Sequence, residues 1–218
     1  MEIEIWSDIV CPWCYIGKRR FEAALERFER RDAVEFTWRS YLLDPSAPRT
    51  PSETTRAMLA RKYGVSLEQA DAMQARVKSV AAGEGLNYKI DLTRHESSVD
   101  AHRLLHLAKA SGLQDALKER FFSAHFIEGL SISDAATLSR IAVEVGLKAD
   151  EVSSVLAGNA YADDVKADIE RAGRLGIRGV PFFLIAGRYG VSGAQSSDTM
   201  LEAMRTAWAE TEGQGTGD

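Results

Sequence analysis

The sequence predicts an α/β domain split by a helical block, with elements in the order βαβ, helices, αββα. Stretches near both ends of the chain alternate polar and apolar residues or run wholly apolar. The middle carries helical periodicity and no second strand-rich region. The chain has 218 residues, 45% of them hydrophobic and 27% charged, an ordinary globular composition with enough length to bury a substantial core.

Glu2 to Trp6 alternates polar and apolar residues and reads as a strand with Ile3 and Ile5 on one face. From Cys14 the period changes, and Phe21, Ala24, Leu25 and Phe28 recur at helical spacing among charged residues. Val34, Phe36 and Trp38 return to period two, which completes a βαβ unit. The three prolines of DPSAPRTPSE, from Asp44, end that unit. In the helical block, Leu104, Leu105 and Ala108 mark one helix, and Phe121 with Phe122 another. Leu138, Ile141, Ala142 and Val145 form the clearest stripe, with Ser133-Asp134 as its N-cap and Gly146 as its stop. Val165, Ile169 and Ala172 define a helix that runs out at Gly176. Phe182 to Ile185 is short, apolar and bounded by glycines, as a central strand buried on both faces would be. Gly187-Arg188 turns into a short strand around Tyr189 to Val191, and Leu201, Met204 and Trp208 mark the last helix. The expected organisation is an α/β domain from residues 1–45 and 159–210 with an inserted helical domain at 46–158. The polar, glycine-rich TEGQGTGD is expected to be a disordered tail at 211–218.

A net charge of −5 disfavours bulk nucleic-acid binding, which calls for a basic field. No apolar run reaches the ~18–20 residues that cross a bilayer, so no membrane role is expected. MEIEIWSD lacks the basic start and apolar stretch of a signal peptide, which makes the cytoplasm the expected compartment. Thiol buffers there keep cysteines reduced, so a structural staple does not explain why both cysteines sit together in IVCPWCYIGKRR.

Strand one ends near Asp8 and helix one begins at about Pro12, which places Cys11 at or next to the N-cap. Unpaired backbone N–H groups and the positive helix end stabilise a thiolate there, with pKa values of roughly 3.5–7.5 against about 8.5 for a free thiol. Cys14 follows three residues on, where the helix brings it beneath Cys11. Cys11 can attack a substrate disulfide, and Cys14 can resolve the mixed disulfide. Half of a zinc site is the bland alternative; His102 and His106, four apart on a helix, would complete it. An inert packed pair is another. Without zinc, His102, His106 and Lys109 read as a solvated or half-buried stripe. Lys18, Arg19 and Arg20 read as a solvated helix face that, in the sharper version, draws anionic thiols towards Cys11. No metal site is expected. Gly179-Val180-Pro181 is the second constellation, since a proline cannot donate to the ladder and marks a strand start or a special turn.

Cys11-Pro12-Trp13-Cys14 on a strand-to-helix turn, with Gly179-Val180-Pro181-Phe182 near the far end, resembles the thioredoxin-fold DsbA superfamily. SDIVCPWCYIGKRRFEAAL, DAHRLLHLA, GIRGVPFF and YGVSGAQ resemble its FrnE-like branch of dithiol-disulfide isomerases, which is grouped with 2-hydroxychromene-2-carboxylate isomerases and kappa-class glutathione transferases. The similarity runs from about Met1 to Trp208. It implies a thioredoxin fold with a helical insertion roofing the site, Cys11 as nucleophile, Cys14 as resolving thiol and Pro181 as a cis-proline. Pro12, Trp13 and the Val180 backbone would then meet substrate, Val180 by strand addition. Trp13 stands where DsbA has a histidine, which implies a less oxidising pair. Ser97-Ser98 replaces an Asn-Thr found in relatives, and those relatives that dispense with a dithiol have a serine at the position of Cys11.

The expected function is thiol–disulfide oxidoreduction or isomerisation through a Cys11–Cys14 dithiol. A glutathione-dependent isomerase or transferase acting on a small aromatic compound is the alternative, and a chaperone-like module a third reading. No cofactor is required by the residues; glutathione or another low-molecular-weight thiol would enter as reductant or co-substrate. The partners expected are a disulfide-containing protein or a small thiol, with a homodimer as the oligomer the resemblance suggests.

Overall fold

A computed structural model describes residues 1–214 of the chain. Strand β1 (Glu2–Ser7) leads into helix α1 (Pro12–Glu26) and returns as β2 (Glu35–Ser40), which pairs parallel to β1 with Ile5 opposite Trp38. The block that follows contains α2 (Thr55–Tyr63), α3 (Leu67–Gly83), α4 (Val99–Ala110), α5 (Gln114–Ser123), α6 (Ala135–Glu144) and α7 (Ala149–Ala157). Helix α8 (Ala162–Arg174) brings the chain back to the sheet, which β3 (Phe182–Ile185) and β4 (Tyr189–Ser192) complete before α9 (Ser197–Gln214). The sheet order is β2-β1-β3-β4, with β3 antiparallel to both of its neighbours.

β1 is therefore central, and both of its faces are covered. Ile3 and Ile5 pack with Phe21, Phe183 and Met204 under α1 and α9, while Trp6 and Leu184 pack with Ala172 of α8 on the other face. Simple alternation would leave Glu4 in solvent. Instead it is buried on the α8 side and ion-paired to Arg39 at 2.6 Å and Arg171 at 2.6 Å, because a central strand has no wet face.

β2 is an edge strand, and the helical block covers it. The Gln114 amide at the start of α5 accepts from Trp38 N at 3.1 Å and donates to Trp38 O at 3.0 Å, as a neighbouring strand would. The α6 stripe is buried as its period predicts, and Asp134 caps it by accepting from Thr137 N at 2.8 Å. The tail expectation is corrected over its first part. α9 continues through Gln214, and the Thr211 hydroxyl donates back to the Ala207 and Trp208 carbonyls, so local hydrogen bonding carries the helix past Trp208. Residues 215–218 lie outside the described residues.

Candidate active site

The pairing of Trp6 with Phe182 sets the C-terminal end of β1 beside the start of β3. The loops beyond those two strand ends therefore meet. Cys11 is the N-cap of α1 in an extended conformation (φ −88°, ψ 111°), with Pro12 as the first helical residue. The Cys14 N–H donates to the Cys11 carbonyl at 3.0 Å, and both thiols are free. Cys11 is 3% exposed and Cys14 fully buried. The Cys11 thiol points at the Val180 carbonyl, 3.6 Å away, and the Val180–Pro181 peptide is cis. Gly17, one turn beyond the pair, holds this contact: a Cβ there would sit 2.8 Å from Pro181 Cγ, inside contact distance.

Cys11 does not follow the expectation of an acidic thiol. The Cys14 backbone N–H, hydrogen-bonded to it, does favour the thiolate. The hydrogen bond with the Cys14 thiol, burial, and the charges of Cys14 and Asp8 outweigh that help and hold Cys11 well above the ordinary thiol range. In this closed arrangement the neighbouring Cys14 thiol and desolvation prevail over the helix N-terminus.

Asp8 lies on the floor behind the pair. Its carboxylate is buried and accepts from Ser98 Oγ at 2.6 Å and Leu43 N at 2.8 Å, with His102 Nε2 at 3.4 Å. Burial opposes its ionisation, but His102, Ser98 and Leu43 prevail and hold its carboxyl below the usual range. His102 is thus corrected from a solvated stripe to a core residue turned towards Asp8, where burial pulls its pKa down. His106 is half-buried against Ser40 and Asp168 at 3.1 and 3.2 Å, and Lys109 is exposed as expected. Both histidines face carboxylates instead of the thiols, and among the described residues no cluster of metal-ligating groups forms. Lys118 of α5 completes the floor. It is fully buried, with Nζ 3.5 Å from the Ser7 carbonyl and 5.0 Å from the Phe122 ring centroid, and burial pushes its pKa down to about 8.

Neither reading of the Lys18-Arg19-Arg20 run survives. Lys18 is 2% exposed and paired with Glu22, Asp115 and Glu119. Arg19 pairs with Glu119, and Arg20 with Glu84 at 2.6 Å and with the Ala194 carbonyl. These cations fasten α1 to the helical block and to the loop after β4, so none is free to steer a substrate. Of the other expected site residues, the Pro12 carbonyl accepts from Tyr88 OH at 2.8 Å, and half-buried Trp13 packs against the helical block. Asp8, Lys118 and Tyr88 escaped the sequence reading. A lysine in the Leu117–Phe122 apolar stripe was the one visible signal.

A cavity of about 300 Å³ opens beside the pair. Cys11, Trp13 and Val180 form its α/β wall, and Leu59, Met73 and Phe126 face them from the helical block.

Residues 2–205 match the DSBA-like thioredoxin domain family, and the chain belongs to that family. It is 47% identical to a solved structure described as a probable DsbA oxidoreductase, SCO1869, from Streptomyces coelicolor, covering 96% of this chain and 91% of that one with a TM-score of 0.92. It is 27% identical to the uncharacterized protein YwbO of Bacillus subtilis (strain 168), over 94% of this chain and 96% of that protein. The cytosolic disulfide reductase DsbM of Pseudomonas aeruginosa, solved with GSH, shares the fold at 17% identity and a TM-score of 0.64, over 98% of each chain.

Proposed function

We propose that this DsbA-like chain is a cytoplasmic thiol–disulfide oxidoreductase that cycles a Cys11–Cys14 dithiol. The observation that supports this most directly is Cys11 at the α1 N-cap, with Cys14 beneath it and the Val180 carbonyl against its sulfur. In the reductive direction Cys11 attacks a substrate disulfide and releases one thiol. Cys14 then attacks Cys11 Sγ, releases the second thiol and leaves the protein disulfide, which a low-molecular-weight thiol such as glutathione reduces. Isomerisation uses the same first step and returns the mixed disulfide to another substrate thiol. Because Cys11 begins protonated and buried, attack requires its proton to leave, and the floor of Asp8, His102 and Lys118 supplies the nearby titratable groups.

A redox titration in glutathione buffers, with free thiols trapped and the products weighed, tests this. The expected result is a reversible Cys11–Cys14 disulfide. Cys11→Ser abolishes turnover, and Cys14→Ser accumulates mixed disulfide. A Cys11→Ser protein that still reduced a disulfide at the normal rate would end the reading.

The cavity supports a second reading, a glutathione-dependent isomerase or transferase for a small aromatic compound, in which Cys11 holds the bound thiol without cycling. Isomerase or transferase activity on such a compound that survives Cys14→Ala would favour it over the first.

A further inference from the structure

The loop after β2 runs alongside the segment that leads into α4, and the two grip Asp8 between them. Leu43 N donates to one Asp8 oxygen at 2.8 Å, and Ser98 Oγ donates to the other at 2.6 Å. Outside this grip the same two segments meet again. Ser97 N donates to the Pro48 carbonyl at 2.9 Å, and His95 Nε2 lies 2.8 Å from Asp44 Oδ2. The other ring nitrogen of His95, Nδ1, lies 3.2 Å from Oε1 of Glu53, at the far end of the loop. Leu43, Asp44, His95 and Ser98 all line the cavity beside Cys11, so this seam is part of its wall. The Asp44 side chain is 36% exposed, which puts the imidazole contact at the outer rim.

A carboxylate oxygen only accepts, so each contact needs an N–H on the ring; the neutral imidazole carries one and its cation two. Asp44 stays charged where imidazoles titrate, because the Ser46 hydroxyl at 2.6 Å, and after it His95, hold its carboxyl below the usual range. Arg61 of α2, and after it His95, do the same for Glu53. Among the described residues, the charged groups facing the ring are therefore Asp44, Glu53 and, through Glu53, Arg61. Arg94 is exposed, and Glu96 turns away to Ser133 at 2.8 Å. Deeper in the seam His102 faces Asp8, where burial pulls its pKa down. When His95 loses its proton, one donor is left for two carboxylates, and the charge that attracted both is gone.

We propose that His95 is a proton-operated latch on this seam: as the cation it ties both ends of the loop after β2 to the segment before α4, and as the neutral ring it lets the mouth of the cavity widen. Cys11 is 3% exposed, so a disulfide-bearing partner reaches it only through such widening. Access to Cys11 then rises with pH separately from thiolate formation. His95 touches no reacting atom and is a positioning residue. The latch adds to the dithiol reading a control over when Cys11 meets its substrate, and it operates whether or not Cys11 and Cys14 cycle.

The test separates access from ionisation. In the Cys14→Ser protein, Cys11 is alkylated by small iodoacetamide and by bulky pyrenyl-maleimide from about pH 5.5 to about pH 8, the range in which imidazoles titrate. The thiolate fraction is common to both reactions, so it cancels in the ratio of bulky to small rates. That ratio should rise about fivefold with pH, as expected for loss of one partly exposed ion pair. His95→Gln, uncharged throughout, should hold the ratio at its high value at every pH. His95→Arg, always charged and forked to reach two carboxylates, should hold it at its low value. Asp44→Asn cuts the same contact from the opposite segment and should also flatten the profile at the high value, which keeps the test decisive if a His95 variant folds poorly. A flat ratio in the parent protein overturns the latch. So does a rise that persists in His95→Gln or Asp44→Asn, which would assign the titration to His102. If the profile is as expected while the wild-type protein reduces no disulfide, the dithiol reading falls and the latch stands.

Discussion

Lys18 and Lys118 both lie buried beside the Trp38 indole, with ammonium groups 6.0 and 5.5 Å from its centroid, and their charges are governed in opposite ways. Burial pulls Lys18 down, but Asp115, Glu22 and Glu119 outweigh it and raise its pKa. Lys118 has no carboxylate within ion-pair distance among the described residues, and burial carries it down to about 8. The same residue type at the same depth is a fastener in one place and a titratable group in the other. Partners decide which, and both sets of surroundings are assembled from distant parts of the chain.

The largest expected effect tests Lys118. Its folded pKa of about 8 lies below its unfolded value of 10.5, so between them the unfolded chain binds more protons. Lys118 therefore makes stability rise with pH through that window, by on the order of 3 kcal/mol. Urea unfolding of wild type and Lys118→Met from pH 7 to pH 10 should show the variant more stable at pH 7, with the advantage vanishing as pH rises. Alkylation of Cys11 should slow in the variant, because a nearby positive charge is gone. Parallel pH profiles would break the contrast between the two lysines.

Lys18→Met should have the opposite sign. It leaves Glu22, Asp115 and Glu119 facing one another, and these are a third or more exposed, so the expected loss at pH 7 is about 2 kcal/mol. Since the Lys18 pKa is raised, its contribution is fully present below the unfolded value of 10.5 and is lost as pH climbs through the folded value. An unchanged unfolding midpoint would show that the three carboxylates do not depend on it.

Gly17→Ala separates shape from charge. Its methyl would collide with the Pro181 ring, so it should cost about 1 kcal/mol and slow disulfide reduction while leaving both lysine profiles in place. Normal turnover would mean that the Pro181 contact does not position the site.

Much of the fold was legible because it is local. β1, α1, β2 and the α6 stripe follow from periodicity, and the N-cap place of Cys11 follows from a strand end and a proline. The side chains behind the thiols were not. Asp8 meets Ser98 and His102 across some ninety residues of chain, with separations of 90 and 94, so no local window holds the pattern. His102 looked like surface for that reason, and the Lys18-Arg19-Arg20 run looked free because its carboxylates lie just past α3 and in α5 as well as on α1.

The sequence by itself determined the element order, the spacing of Cys11 and Cys14 and the family resemblance, all of which depend on residues near one another or on short motifs. The tertiary structure alone decided that Cys11 sits buried with its pKa raised, that burial brings the Lys118 pKa down to about 8, and that Gln74 and His125 share a cavity wall. Those properties depend on desolvation and on side-chain placement, for Cys11 against neighbouring Cys14 and for the others between groups far apart in the chain. Periodicity reports which face of an element is buried, but it does not report what waits on the other side.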